Sequence, residues 1–454
     1  MSWRSILGVV ALNGWFTAVG VCVVFALQRW RSWSDVLRYV GLAYMTGVSA
    51  VGIALAWQLT VGIDLSVASI LVVGAVIASA GVVLGVRRGH RPPVWPQRPH
   101  LSPLPLVSMV GAALTFVYLE AQFRSGRLAG LYEFDAWSFW VPKAKAIYFF
   151  GGLDEQLFRE LPGPSYPPLV PAVEAADFHF MGQPDEVTLH LQFWFFLAGF
   201  VWALVGLLAG RSPRVVRWAS VLLVLVTPQI VTSALQAQAD VLLDEFVALA
   251  VVATGLWILE REGSLLAFAA LFLAAAVLTK REGLVLAGAC VTAAVVATVR
   301  EERAVWGKAL AVGVLVLLAL APWRVFLLTR SLPGGGPEAG GVGLLTHAER
   351  AWPSLRLAFS TLFDFHVWLI VVPVFVVAVG VALMGGRRQL GTYAAVFSVL
   401  CVACFTWSTW AFPSLAITKE AALNPIVRFS GALTFAAAGL IPLLLGGVVA
   451  RRRL

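Results

Sequence analysis

Apolar runs of about 20 residues follow one another along almost the whole chain, with short polar segments between them. A helix rises about 1.5 Å per residue, so about 20 residues cross the roughly 30 Å hydrocarbon core of a bilayer. The pattern therefore predicts an all-α polytopic membrane protein with about thirteen transmembrane helices. These helices are expected near residues 6–27, 38–59, 65–86, 104–122, 189–209, 217–235, 241–259, 265–280, 283–299, 309–328, 366–385, 390–410 and 429–449.

Arginine and lysine concentrate in every second loop of this pattern, near residues 29–38, 87–98, 211–217, 300–308, 387–388 and 451–453. Short loops that carry basic residues stay on the cytoplasmic side of a membrane. We therefore expect a protein of the plasma (inner) membrane with its N-terminus outside and its C-terminus in the cytoplasm. The net charge of +9 then reflects topology and attraction to anionic membrane lipids, and no basic motif with interleaved aromatic residues indicates nucleic acid binding.

The composition supports this class and the polar segments divide the chain. Of its 454 residues 60% are hydrophobic and 13% charged, which excludes an ordinary soluble globular protein. Residues 1–103 form an N-terminal extension of three helices, and residues 104–328 form a membrane core with a large outer loop at 123–188. Residues 329–454 contribute a second outer loop and three C-terminal helices. The glycine-rich part of that loop, residues 333–343, lacks the ending of a phosphate-binding loop and is interpreted as a mobile cover over bound substrate.

The first outer loop opens with an unusual mixture of acids, bases and aromatic residues, "YEFDAWSFWVPKAKAIYFFGG" at residues 132–152. The stretch from Asp135 to Phe150 predicts a helix in the membrane interface, with Lys143 and Lys145 free to reach towards water. Prolines then interrupt the chain, and a second short helix is predicted from Pro168 to Phe180. Aromatic residues and lysines are ordinary membrane anchors. They do not explain the acidic pair Glu133 and Asp135, which we interpret as functional.

The short outer links also carry charge at the ends of predicted helices. The segment "QAQAD" ends at Asp240, and Asp244 follows four residues later on the same helical face. The segment "LTKREG" places Lys280, Arg281 and Glu282 in a tight hairpin between two apolar runs. Buried carboxylates in a membrane usually indicate a polar cavity, an ion path or a structural pair. Two further arginines, Arg324 of "PWR" and Arg428 of "NPIVRFS", are interfacial anchors or ligands.

The residue types on the outer side suit transfer from a phosphate. A carboxylate can act as general base towards an acceptor hydroxyl or amine. Lysine and arginine can stabilise a departing phosphate as negative charge develops on it. Lys143, Trp137 and Tyr166 are candidate substrate contacts. The aromatic rings have two possible roles: they stack on sugar rings or they anchor helices.

In this order and on this side of the membrane, the motifs resemble those of the GT-C superfamily of integral membrane glycosyltransferases. The shared features are an acidic motif on a long first outer loop, "QAQAD" beside the common "YAD", "TKREG" beside "TKxEG", a "PW" pair and a late arginine. The superfamily includes the protein mannosyltransferases and the lipid A aminoarabinose transferases. The resemblance covers residues 104–328 well and the remainder loosely. Two features depart from the usual pattern: three helices precede the one that leads into the loop, and Arg281 stands where asparagine is frequent.

The resemblance implies an inverting transfer of a sugar from a polyprenyl-phosphate donor to a lipid, glycan or protein acceptor of the cell envelope. Asp135 is then the expected base, with Glu133 as its competitor. Lys280, Arg281, Arg324 and Arg428 would contact the donor phosphate, while Asp240 and Asp244 would line the cavity. Metal use is open: oxygen ligands from Asp135 and Asp240 could hold Mg²⁺ or Mn²⁺. The sugar and the acceptor cannot be named from the sequence.

A protein of another class could also use acids and bases in a membrane. A transporter or flippase of a lipid-linked or anionic substrate is the main alternative. Transporters often contain internal repeats with broken helices at the bilayer midplane, and no convincing repeat is found here. A noncatalytic scaffold would explain the apolar helices and leave the outer acids without a role.

Overall fold

The structure is a computed structural model that describes residues 1–93, 105–128, 130–131, 133–332, 347–411 and 419–451. In these ranges all regular elements are helical, as predicted. The helices are α1 Trp3–Leu27, α2 Trp33–Arg38, α3 Val40–Thr60, α4 Val67–Arg87, α5 Leu106–Gly126, α6 Val141–Phe150, α7 Glu155–Glu160, α8 Leu169–Met181, α9 Glu186–Leu208, α10 Arg214–Val226, α11 Pro228–Leu235, α12 Ala239–Glu260, α13 Gly263–Thr279, α14 Glu282–Thr298, α15 Arg303–Thr329, α16 Ala351–Leu362, α17 Phe365–Trp368, α18 Val371–Met384, α19 Arg388–Ala411 and α20 Lys419–Arg451. The glycine-rich segment 333–343 lies outside the described residues.

Eight of the described helices are long and apolar enough to cross a membrane: α1, α3, α4, α5, α9, α12, α15 and α19. The pair α10 and α11 would make a ninth span, but it bends by 57° at its break. The bend follows from Pro228, which cannot continue the hydrogen bonding of α10 and forces Thr227 into an extended conformation. Four further apolar segments, α13, α14, α18 and residues 430–446 of α20, have only 10–17 residues. The chain is thus a helical protein suited to a membrane, while the predicted count of thirteen spans is not confirmed.

The two helices predicted in the first outer loop are packed into the bundle. The predicted second short helix is confirmed as α8, which packs against α1, α3 and α6. The first one is divided into a π-helical turn, Ala136–Trp140, and α6. The prediction that both lysines of this segment reach towards water is wrong. Lys143 is 1% exposed, and Lys145 pairs with Glu186 at the start of α9.

The hairpin between α13 and α14 is closed by a glycine. Only Lys280 and Arg281 separate the two helices, and a Cβ atom on Gly283 would overlap the carbonyl oxygen of Ala276 on the opposite helix. Glycine therefore lets the two backbones approach closely enough to form the hairpin. This close approach fixes where the charged residues of the hairpin point.

Gly283→Ala is expected to lower the free energy of unfolding by about 1–3 kcal/mol, because the added methyl group forces the two backbones apart. Gly288→Ala is the matched control on the same helix, since no atom lies within 4 Å of its added Cβ. The control should raise stability by about 0.5–1 kcal/mol through helix propensity. Denaturant unfolding of both purified variants in one detergent measures the difference, and equal stability of the two variants would contradict the close packing.

Candidate functional site

Motif segments far apart in the chain meet at one end of the bundle. Gln236 donates a hydrogen bond to Glu133 at 2.7 Å, which joins "QAQAD" to the first outer loop. Tyr166, further along that loop, donates to Glu282 of the α13–α14 hairpin at 3.5 Å. The indole of Trp323 in the "PW" pair donates to the backbone oxygen of Ser165 at 3.3 Å. Four segments singled out in the sequence therefore meet through these contacts.

A buried ion pair stands at the centre of this site. The Lys280 ammonium donates to Asp240 Oδ1 at 2.7 Å, and the side chains are 5% and 6% exposed. Asp240 lies in the first turn of α12, where the partial positive charge of a helix N-terminus favours a carboxylate. The Lys280 ammonium also lies 3.9 Å from a Glu282 oxygen. Both residues were predicted from sequence, and the structure brings them into contact.

Tyr166 lies between the cations and a cluster of aromatic rings. Its ring centre is 4.5 Å from the guanidinium carbon of Arg281 and 5.9 Å from the Lys280 ammonium. Phe139 and Trp140 contact the same ring edge to face, with centroids 5.1 and 5.6 Å away. Burial, and next the charge of Glu282, raises the pKa of Tyr166, so its hydroxyl stays protonated and can donate.

Arg281 offers a hydrogen-bond donor that the surrounding chain does not use. Its Nε atom is buried and makes no hydrogen bond within the part of the chain that the structure describes. A buried guanidinium donor without an acceptor is costly, and a phosphate oxygen is a good acceptor for it. The arginine that departs from the family pattern is therefore well placed for an anion.

Lys143 completes the set of buried cations. Its ammonium donates to the backbone oxygen of Gly163 at 2.6 Å and lies 3.8 Å above the ring of Phe139. Burial, and to a smaller extent the charge of Arg281, lowers the pKa of Lys143 to about 7. An anion bound beside Lys143 and Arg281 would reduce this repulsion and favour the protonated amine.

Lys143→Met is expected to flatten the dependence of stability on pH. In the folded protein the pKa of Lys143 is about 7, against an ordinary value of 10.5. Between these values the unfolded chain binds more protons than the folded chain, so the free energy of unfolding of the wild type rises with pH. The slope is at most about 1.4 kcal/mol per pH unit. Thermal unfolding from pH 6 to 10 compares the variant with the wild type.

Lys145→Met serves as the control for this experiment, because Lys145 is half exposed and pairs with Glu186 at the surface. It should leave the slope of the wild type unchanged. A Lys143→Met slope that equals the wild-type slope would contradict the lowered pKa of Lys143.

The acidic pair of the first loop is placed beside the "QAQAD" segment. Glu133 is the member that bonds to Gln236, and Asp135 lies half-buried where the π-helical turn begins. The "QAQAD" segment itself holds Ala237 at a φ of +52°, a conformation that costs energy in a non-glycine residue. Rare π-helical turns and strained backbone both occur preferentially at functional sites.

A small pocket opens beside the ion pair. Asp240, Asp244 and Glu282 line it, which confirms that the two aspartates share one helical face. Its opposite wall comes from α19 and includes Trp407 and Ser408, which the sequence analysis did not identify. In the sequence these two residues differ from their surroundings only in being an aromatic and a polar residue within an apolar run. The pocket has a volume of about 60 Å³, and ligand pockets usually exceed about 300 Å³. The pocket is therefore too small for a ligand of the size of a sugar phosphate.

Three other predicted site residues do not contact the ion pair in the part of the chain that the structure describes. Arg324 is exposed on α15, whereas its neighbour Trp323 is the residue that faces the site. Trp137 is 52% exposed and packs on Phe134 with ring centres 5.4 Å apart. Arg428 belongs to α20, and its side chain lies outside the described residues.

Metal use, which the sequence leaves open with Asp135 and Asp240 as the possible ligands, gains no support from the described residues. Within the described ranges no three histidine, cysteine or acidic residues are close enough to hold an ion. Asp240 already accepts a hydrogen bond from the Lys280 ammonium. A divalent ion on Asp240 would have to compete with this positive charge, so the residues present suit an anion better than a metal.

Comparison of the chain with protein-family models, with curated proteins and with solved structures gives no match in any of the three. A function is therefore inferred from the contacts and charges of the site itself.

Proposed function

We propose that the chain is a membrane glycosyltransferase of the GT-C type. It would move a sugar from a polyprenyl-phosphate donor to an acceptor of the cell envelope, with inversion at the sugar carbon. The observation that carries the proposal is the buried Lys280–Asp240 pair, flanked by Arg281 and Tyr166 where four motif segments meet. Cations buried beside aromatic rings and a nearby acidic pair suit an anionic leaving group and a neutral acceptor.

The donor phosphate is assigned to the cations around Tyr166. Arg281 supplies a buried and unused donor, and Lys143 and Lys280 supply further positive charge on either side of the aromatic cluster. As the bond between sugar and phosphate breaks, the phosphate oxygen gains negative charge. Fixed cations in a site that excludes water stabilise that charge most strongly. Asp240 holds Lys280 in place and limits its reach.

The acceptor is assigned to the side of the first outer loop. Asp135 takes the proton from an acceptor hydroxyl or amine, and the freed electron pair attacks the sugar carbon on the face opposite the phosphate. The bond between the sugar carbon and the donor oxygen breaks, and the polyprenyl phosphate leaves with the two electrons of that bond. Glu133 holds the loop against Gln236 and so fixes the position of this base.

The membrane setting of the proposal follows the apolar helices. If the bent pair and the four shorter apolar helices cross the membrane as well as the eight long ones, the chain would have the thirteen crossings expected from sequence. The N-terminus would then be outside the plasma membrane and the C-terminus in the cytoplasm. With this orientation the site faces outwards, where a polyprenyl donor presents its sugar.

The proposal is tested by sugar transfer in lipid nanodiscs. Purified protein is mixed with radiolabelled polyprenyl-phosphate hexoses and pentoses and with envelope lipids, glycans or peptides as acceptors. At least one donor should give a glycosylated acceptor. Arg281→Met should raise the KM for that donor at least tenfold, because it removes the unused buried donor group. Arg127→Met is the matched control, since Arg127 is an exposed cation after α5. No transfer from any donor, or equal kinetics for both variants, would contradict the proposal.

A transporter or flippase is the second candidate, and one observation favours it. Glu245 is fully buried within α12, deeper than the ion pair of the site. Ionisable residues within membrane helices are frequent in proton relays and ion pathways. If the same nanodisc preparations give no transfer, but the protein in vesicles moves a labelled polyprenyl-phosphate sugar across the bilayer, the transporter is the better assignment.

A further inference from the structure

A closed hydrogen-bonded group lies between three membrane helices, away from the proposed transfer site. Tyr44 on α3 donates to Asn13 Oδ1 on α1 at 2.6 Å, and Asn13 donates to Gln192 Oε1 on α9 at 2.7 Å. Gln192 donates back to Tyr44 at 3.2 Å and to Asn13 at 3.1 Å. All three side chains are buried, and their hydrogen bonds satisfy one another. We call these three residues the polar centre.

Three buried carboxyl groups, two of which interact with Tyr44 of the polar centre, are not satisfied in this way. Glu174 and Asp177 are on α8 and Glu245 is on α12; they are 1%, 0% and 0% exposed. None of their six oxygen atoms makes a hydrogen bond in the part of the chain that the structure describes. Asp177 and Glu245 both interact electrostatically with Tyr44, and Glu174 interacts with Asp177. Tyr44 therefore links carboxyl groups from two separate helices.

Among the side chains that the structure describes, no positive charge compensates these carboxyl groups. Helix α8 packs against α1, α3, α4, α6, α9 and α13, and α12 packs against α9, α11, α13, α14, α19 and α20. Besides the three carboxyl groups, the titratable and charged residues of α8, α12 and these neighbouring helices are Arg4, Cys22, Tyr44, Arg87, Lys143, Lys145, Tyr148, His179, Glu186, His190, Asp240, Asp244, Glu260, Glu282, Cys290, Arg388, Tyr393, Cys401, Cys404, Lys419, Glu420, Arg428 and Arg451. Among the described side chains, none of the basic ones acts on the three carboxyl groups.

An ionised carboxylate in such a place would be very unfavourable. Moving an unpaired carboxylate from water into an apolar interior costs many kcal/mol, so the group takes up a proton instead. Burial raises the pKa of both Glu174 and Asp177 on α8, and the neighbouring Glu174 raises that of Asp177 further. Three such groups, two of them interacting with Tyr44 and the third with Asp177, are more than packing requires, since apolar residues of similar size would avoid the cost.

We propose that Glu174, Asp177 and Glu245 form a proton-binding site around the polar centre, in which native-state protonation is coupled to the packing of α8 within the bundle. Protonated carboxyl groups can remain buried as they are in the structure. A carboxylate that loses its proton needs water or a new donor, and α8 is the element able to bring it out, because it is a short helix between loops. The site is independent of the proposed sugar transfer and would serve a transporter equally well.

The ligand is assigned as a proton because the geometry does not suit a metal ion. Within the described residues no three acidic, histidine or cysteine side chains are close enough to hold one. Carboxyl groups that are too far apart to share one metal ion each bind a proton of their own. They interact through Tyr44 and through the charge of their neighbours, so their titrations should be coupled.

Infrared spectroscopy of the folded protein in nanodiscs tests the proposal, because a protonated carboxyl group has a C=O stretching band distinct from that of a carboxylate. The wild type is titrated from pH 5 to 10 in D₂O, with its fold followed by circular dichroism. We expect a band from buried carboxylic acids at pH 7 that is lost reversibly as pH rises while helix content stays constant. Glu245→Gln and the double variant Glu174→Gln/Asp177→Asn should each remove part of the band. These variants keep the side-chain shape and remove the ionisable group, so they are expected to fold.

Glu302→Gln is the matched control, because Glu302 is exposed at the start of α15 and should contribute nothing to the band. The proposal is wrong if the wild type lacks the band at pH 7, if the substitutions at the three positions leave it unchanged, or if the band persists to pH 10. Titration in Na⁺ and in choline at equal ionic strength completes the test. A midpoint that moves with Na⁺ would show that a metal cation is the ligand and would overturn the assignment to a proton.

Discussion

Lys280→Met is expected to lower the free energy of unfolding by about 3–5 kcal/mol and to abolish sugar transfer. The substitution removes the ammonium that neutralises Asp240 inside the bundle, where both side chains are almost fully buried. Removing one partner of a buried ion pair typically has this cost, because the remaining charge loses its compensation. Denaturant unfolding in detergent and the nanodisc transfer assay measure the two effects separately.

A second substitution separates structure from function at the same position. In the double variant Lys280→Met/Asp240→Asn neither charge remains, so most of the lost stability should return. Transfer should stay absent, because the cation assigned to the donor phosphate is still missing. Recovery of both stability and transfer would show that Lys280 serves only to neutralise Asp240. Lys145→Met, which breaks the half-exposed pair with Glu186, is the control and should cost about 0–1 kcal/mol.

The Lys280–Asp240 contact also shows how much of the site can be predicted from sequence. Asp240 precedes one apolar run and Lys280 follows another, and both ends are expected on the same side of the membrane. The link between α13 and α14 has only two residues, so the backbone of Lys280 has little conformational freedom. The order of the motifs therefore places them near one another. The positions of the helices were also predictable, because the length of an apolar run is a strong local signal.

The burial of Lys143 was not predictable in this way. A segment with aromatic residues and lysines has the same pattern whether it lies in the membrane interface or against other helices of the bundle. Only the packing of α6 on α8 decides between them, and this packing depends on contacts distant in sequence. The same reason hides Glu174 and Asp177, which lie in a helix expected at the outer surface and are buried in the structure.

The direction of Arg324 depends on the rotation of a helix. Its neighbour Trp323 turns towards the loop, so Arg324, about 100° further round α15, faces outwards. An apolar helix in a membrane gives little sequence signal about which face is buried, because lipid and protein interiors are similarly apolar. A motif can therefore identify which end of a helix lies at the site without identifying which of its residues contacts the site.

Asp135→Asn is expected to lower kcat about a hundred- to ten-thousand-fold with little change in the KM for the donor. An amide cannot take the acceptor proton, and general base catalysis contributes about this much. The substitution keeps the shape of the side chain at the start of the π-helical turn, so donor binding should survive. Initial rates over a range of donor concentrations give kcat and KM for the variant and the wild type.

The competing residue, Glu133, is expected to behave differently because its carboxylate holds the first outer loop against Gln236. Glu133 accepts a hydrogen bond from Gln236, and Glu133→Gln keeps an oxygen that can accept it. This variant should lose less than tenfold in kcat, whereas Glu133→Ala and Gln236→Ala should weaken transfer to a similar extent and show coupling in a double-mutant cycle. A large loss in Glu133→Gln with normal rates in Asp135→Asn would assign the base to Glu133. Full activity in both would remove the acidic pair from the chemistry, and the buried cations alone would then favour binding and movement of an anionic lipid over transfer of its sugar.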